Sequence, residues 1–218
     1  MNSRNIPPAI IFFGPDGSGK TTQADLLVNE IQRRGMKSKK IWIRSLHTLA
    51  YVISIIAMRF LKLNDVYELR SKYGPNRLFR TIWYPIEFVS IWGLIFVKFY
   101  LPMHRGYVIV AERFVVDWVV SLAFVVREHS FVCSWLSNMA LRFIPRDSLL
   151  IYVDASYDVI STRRTRPEDS YEFIEFQRYC YNIFATKLHA FRIDTSNKNI
   201  DEVFTLIKQR IFQEDLKH

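Results

Sequence analysis

Glycine is scarce in this chain, with seven in 218 residues, and cysteine is scarcer still. Cys133 and Cys180 lie far apart and form no C-x-x-C pattern, which argues against a disulfide framework and fits a reducing compartment, with the cytoplasm as the expected location. The five histidines (His47, His104, His129, His189 and His218) have no metal-ligand spacing with one another or with cysteine, so a structural zinc site is not expected. Low-complexity segments, internal repeats and Gly/Ser linkers are also missing. Half the residues are hydrophobic, which argues against disorder and for one domain over 1–218 with a substantial core. Met1 to Pro8 lacks the apolar centre of a signal peptide. The segments Leu46–Leu61 and Trp83–Leu101 are apolar, yet the uninterrupted run in the second is only Phe88–Val97, bounded by Glu87 and Lys98. That is about half of the roughly 20 residues a bilayer span needs. Both segments are therefore read as packed helices, the second starting near Pro85 and ending near Pro102, with a membrane-surface role as the alternative.

Negative charge is in deficit: 30 Lys and Arg against 21 Asp and Glu give a formal charge of +9. Arg33, Arg34, Lys37, Lys39 and Lys40 form one basic group, and Arg163, Arg164 and Arg166 form another. No aromatic-interleaved RNA motif accompanies them, so anionic small molecules are the expected partners and nucleic acid is not.

Three of the seven glycines fall within six residues. The stretch "FFGPDGSGKTT", Phe12 to Thr22, spells G-x-x-x-x-G-K-T, a phosphate-binding P-loop. Glycine belongs where a ligand approaches the backbone closely, and here Gly14, Gly17 and Gly19, with Ser18 and Thr22, would cradle phosphates on main-chain N–H groups. Lys20 adds a mobile charge for the β- and γ-phosphates on a loop expected to face solvent, and Thr21 offers a hydroxyl to Mg²⁺. The flanks agree: Ile10 to Phe13 reads as a buried strand, and Gln23 to Arg34 as a helix stopped by Gly35. ATP with Mg²⁺ is the implied cofactor pair.

Five apolar runs read as strands: Ala9–Phe13, Lys40–Arg44, Tyr107–Ala111, Leu149–Val153 and Ala190–Asp194. Helix-compatible segments separate them, so the expected fold is a three-layer α/β sandwich around a five-stranded parallel sheet, of the P-loop kinase type. Asn199 followed by Glu202 marks a helix start, with Val203, Ile207 and Ile211 as its buried stripe. Ligands in such folds sit at the carboxyl ends of the strands. After the third strand comes Glu112-Arg113-Phe114 and then Asp117. Glu112 there would hold the water shell of Mg²⁺ or take a proton from a hydroxyl, and Arg113 would clamp a phosphoryl group, the competing reading being a surface ion pair. "STRRTRPEDS", Ser161 to Ser170, reads as a lid whose Arg163, Arg164 or Arg166 neutralises transferred charge, or else as an exposed basic turn. Asp16, an acid inside a phosphate loop, either reaches an acceptor or caps the loop.

With these pieces the chain resembles the thymidylate kinases among the P-loop nucleoside monophosphate kinases. "FFGPDGSGKTTQADLL", "RGYVIVAERF", "LLIYVDAS" and "FQRYCYNI" occur in the family's order, loosely covering residues 9–211. The resemblance implies transfer of phosphate from ATP to dTMP, within nucleotide biosynthesis, by a homodimer associating through the apolar segments 46–61 and 83–101. It places Asp16, Arg44, Arg113, Phe114 and Asp117 around the acceptor, Glu112 on the family's Asp-Arg-Tyr motif, the catalytic arginine in the lid, and Ser196–Lys198 near the adenine. Departures are concentrated on the acceptor side. Glu112 is one methylene longer than the family's aspartate, the thymine-holding arginine falls near Ile91, and Asp117, Ser121 and Leu122 occupy the other base-contact positions. A kinase for a deoxynucleoside or a lipid-like hydroxyl, and an ATP-binding switch protein, are the alternatives.

Overall fold

The computed structural model describes residues 6–43, 49–63, 72–73, 76–126, 129–163 and 171–212. Five strands form one sheet: β1 (Ala9–Phe13), β2 (Ser38–Trp42), β3 (Val108–Arg113), β4 (Leu149–Asp154) and β5 (Phe191–Asp194). Their order is β2-β3-β1-β4-β5 and every pairing is parallel, as the alternation of apolar runs predicts. β2 lies two residues earlier than read from the sequence, and Arg44 falls outside the described residues.

The period of two along the strands divides the core. Ile10, Phe12, Val110, Ile151 and Val153 pack against α1 (Lys20–Arg33) and the last helix (Ile200–Phe212), through Leu27, Ile31, Val203 and Ile207. Ile11, Phe13, Ile109 and Ala111 face the other way. That side is covered by α3 (Arg77–Ile95), α5 (Val115–Val126) and α8 (Tyr171–Lys187), through Ile91, Ile95, Trp118, Tyr181 and Phe184. Between them α2 (Leu49–Leu61) packs on α3, and α4 (Leu101–His104), α6 (Trp135–Leu141) and α7 (Tyr157–Arg163) complete the helical set named here. Sheet and two helical layers make the three-layer P-loop kinase fold. The final helix opens with a reciprocal cap, Glu202 N–H donating to Asn199 Oδ1 at 2.9 Å and Asn199 N–H to Glu202 Oε2 at 2.8 Å.

The second apolar segment departs from expectation. Its helix does not begin near Pro85 but at Arg77, where the Asn76 side chain accepts from the N–H groups of Leu78 and Phe79. Pro85 sits within the helix on its exposed face, where the ring points away from the core. Its end does lie near Pro102, at His104. Phe96–Tyr100 widens into a π-turn, Leu101 N–H bonds Phe96 O, and α4 carries the chain on to His104. A widened turn tolerates a residue that has no N–H to give. Within this helical run the 24 residues Thr81–His104 are long and apolar enough to cross a membrane by length and composition, where the count of unbroken apolar residues implies something shorter.

Candidate active site

β1 and β3 are neighbours whose onward connections run to opposite sides of the sheet, β1 toward β2 and β3 toward β4. Such a divergence opens a crevice at the strands' carboxyl ends. The loop from Gly14 to Gly19 fills one wall. Gly14 has φ +144°, and a Cβ there would stand 2.1 Å from the Val153 carbonyl oxygen, so the loop lies tight against β4 with no room for a side chain. Gly19 has φ +96° and open space around it, consistent with a backbone surface left bare for a ligand at the start of α1.

Lys20 is the first residue of α1 and only 4% exposed, not facing solvent as a loop residue would. Its Nζ donates to Gly14 O at 2.7 Å and Pro15 O at 2.6 Å, and stands 3.8 Å from Asp16 Oδ1. Burial of an ammonium is sustained by these partners. Thr21 Oγ1 donates to Glu112 Oε1, joining the first turn of α1 to the end of β3. The other oxygen, Glu112 Oε2, lies 3.1 Å from Lys40 Nζ, which also reaches Asp25 at 2.7 Å. Partial burial works against the Lys40 charge, but the Asp25 and Glu112 carboxylates prevail and hold its pKa above the usual lysine value. A hydroxyl beside a carboxylate is a set of hard oxygen donors suited to Mg²⁺.

Arg113 turns to the loop, its Nη2 paired with Asp16 Oδ1. Asp16 and Arg113, both only partly buried, therefore face each other across the crevice. The two remaining acceptor-side candidates among the described residues lie beneath the crevice. Phe114 is fully buried, packed on Phe99 with ring centroids 4.5 Å apart, and Asp117 is 3% exposed. Asp117 accepts from Phe114 N–H at 3.2 Å and from the Tyr181 hydroxyl at 2.9 Å. Burial raises its pKa, against the pull of Arg113 and Lys20. Both side chains support the turn after β3 from beneath and present nothing to a ligand. Ile91 and Leu122 are likewise buried, and Ser121 bonds back to Asp117 O.

Of the lid arginines, Arg163 is described and Arg164 and Arg166 are outside the described residues, as is most of Ser161–Ser170. Arg163 ends α7 and donates to Thr195 Oγ1 at 3.0 Å and Thr195 O at 3.1 Å. Thr195 in turn donates to Ser18 O, so Arg163 is moored to the segment after β5 behind the P-loop. In that segment Ser196 folds onto Asp194, whose carboxyl is held below the usual range by the Ser196 hydroxyl. Arg178, which the sequence reading passed over as part of "FQRYCYNI", grips Asp154 at the end of β4 through Nε (3.0 Å) and Nη2 (3.1 Å). The Asp154 bond raises its pKa further. Only an arginine three residues before Tyr181 on one helix face hinted at this contact.

No protein-family model matches the chain, and no curated protein matches it as a relative. Among solved structures, thymidylate kinase from Candida albicans is similar over 97% of this chain and 93% of that one, at 18% identity and a TM-score of 0.62. Deoxyadenosine kinase from M. mycoides, solved with bound dCTP, is similar over 94% of this chain and 99% of that one, at 13% identity and a TM-score of 0.54. The shared property is the fold.

Proposed function

We propose that the protein is an ATP-dependent phosphotransferase of the nucleoside and nucleotide kinase class, acting in the cytoplasm, with dTMP as the first acceptor to test. The observation that carries this reading is the convergence of Lys20, Thr21, Asp16, Glu112 and Arg113 on one crevice between β1 and β3. The two kinase folds and the free thiols of Cys133 and Cys180 add support.

The chemistry is in-line attack of an acceptor oxygen on the γ-phosphorus of ATP, with the P–O bond to ADP breaking as the new one forms. Gly14 to Thr22 bind the phosphates with main-chain N–H groups. Lys20 exchanges the carbonyls of Gly14 and Pro15 for β- and γ-phosphate oxygens. Thr21 and Glu112 would hold Mg²⁺, whose charge would offset that of the phosphates. Arg113 leaves Asp16 to clamp the acceptor, and the Asp16 carboxylate accepts from an acceptor hydroxyl. Arg164 and Arg166 remain the candidates for closing over the transferred group, with Arg44 beside the acceptor.

A second reading, a hydroxyl acceptor outside the nucleoside class, is favoured by the apolar helix at Ile91, where relatives would hold a base. Incubation with ATP and Mg²⁺ against a panel of nucleosides, nucleotides and lipid-like alcohols, read by mass spectrometry, separates the two. ATP binding without any phosphorylated product would support a switch protein instead.

A further inference from the structure

From Ile82 to Ile95 helix α3 is apolar apart from Glu87 and Ser90, yet only one side is covered. Trp83, Glu87, Ile91 and Ile95 face inward, and the Glu87 carboxylate accepts from the indoles of Trp83 (2.8 Å) and Trp118 (3.3 Å). Leu78, Ile82, Val89, Trp92 and Phe96 are exposed. Their spacing is that of one helical face, a stripe about 27 Å long at 1.5 Å per residue. Of the most apolar 18-residue window in Thr81–His104, 28% is buried. The neighbouring α2 adds Val52, Ile56 and Phe60, the last 84% exposed. A helix apolar all round is found in a core or in contact with lipid.

We propose that this face docks in the plane of a bilayer bearing anionic lipids. Charge selects that occupant. Arg59 and Lys62 are exposed at the end of α2, Arg105 is exposed after α4, and Lys98 is partly exposed. Across residues 49–63 and 77–105, which hold these cations, the sequence has one acid, Glu87, and it is buried, while Asp65 and Glu68 fall outside the described residues. A second copy in a twofold interface sets a patch against itself, so among the described residues its cations would meet a face with no exposed carboxylate. An anionic surface supplies the missing charge while the long side chains reach to the headgroups. Crossing the bilayer is a different matter. It would strip Glu87 of Trp118 and part α3 from the core it shares with α5.

Flotation of the full-length protein with vesicles tests the docking. The mixture is phosphatidylcholine with about 30 mol% phosphatidylglycerol, in about 0.1 M salt, beside pure phosphatidylcholine. The protein is expected to float with the anionic vesicles, and Trp92→Glu/Phe96→Asp to bind about tenfold more weakly or worse, at unchanged melting temperature. Arg59→Glu/Lys62→Glu, which leaves the apolar stripe intact, is expected to lose the preference for anionic over neutral vesicles. A wild-type protein that stays unbound overturns the proposal. If it sediments as a dimer that Trp92→Glu/Phe96→Asp dissociates, the face belongs to a second copy. Undiminished binding by both double variants, or recovery only with detergent, overturns it as well.

Discussion

The hydroxyl of Thr21 donates to the carboxylate of Glu112, 91 residues further along the chain, and this bond closes the crevice between the P-loop and β3. Each partner comes from a different strand–helix unit, so their meeting depends on β1 and β3 being neighbours in register, Ile11 opposite Ala111. Thr21→Val, which keeps the shape and removes the hydroxyl, should leave the fold intact and lower turnover most at limiting Mg²⁺. Titration of activity against Mg²⁺ checks this.

Lys20→Ala should lower phosphoryl transfer about 100-fold or more, the scale on which preorganised charge acts in such sites. Its ammonium bonds the loop carbonyls of Gly14 and Pro15 and pairs with Asp16, while the core of β1 and α1 is built from apolar side chains and should survive. Steady-state kinetics beside a melting curve distinguishes loss of chemistry from loss of fold.

Arg113→Lys should be nearly as damaging to turnover as Arg113→Ala. An ammonium keeps the charge but loses the planar fork that binds a phosphate or carboxylate through two nitrogens. Recovery of most activity by lysine would reduce Arg113 to a general positive charge.

Burial raises the pKa of Asp117 above the ordinary aspartate value of 3.8, so the folded protein holds this proton to higher pH than the unfolded chain does. The stability contributed by the protonated group is complete below 3.8 and is lost as pH rises through the folded-state value. Glu30 and Asp194, whose pKa values are lowered, act in the opposite sense: their contributions are present above the ordinary carboxylate range and lost on acidification. Comparison with Asp117→Asn cancels those terms. The variant should be less stable at every pH for want of one acceptor, but the gap should narrow as pH rises from 3.8. Denaturant melts across that range measure it.

Glu87→Leu should destabilise the fold by about 2–4 kcal/mol, because two buried indole N–H groups lose their acceptor together. Chemical denaturation gives the value, and the near-ultraviolet signal of Trp83 and Trp118 should change with it.

What could be read ahead from the chain was local. The strand of Ile10 to Phe13, the glycine loop, and the Asn199–Glu202 cap each depend on neighbours a few residues away, and each stands where the spacing puts it. The strand alternation also implied the parallel sheet. The Tyr181 hydroxyl that Asp117 accepts from could not be read ahead, because it lies 64 residues off on α8. Pro85 misplaced the start of the helix because proline's cost depends on which face it occupies, and no spacing rule shows that. Burial of Lys20 against its own loop carbonyls was equally hidden, since a motif specifies the residue and not the partners it holds.

The central claim is that this crevice transfers phosphate from ATP to a small acceptor. Its most direct test is mass spectrometry of the acceptor panel after incubation with the protein, ATP and Mg²⁺, run in parallel with Lys20→Ala. The account predicts one acceptor gaining a single phosphoryl group, matched by ADP, with the product absent in the Lys20→Ala reaction. An unchanged panel in the presence of bound ATP, or a product formed equally by Lys20→Ala, would contradict it.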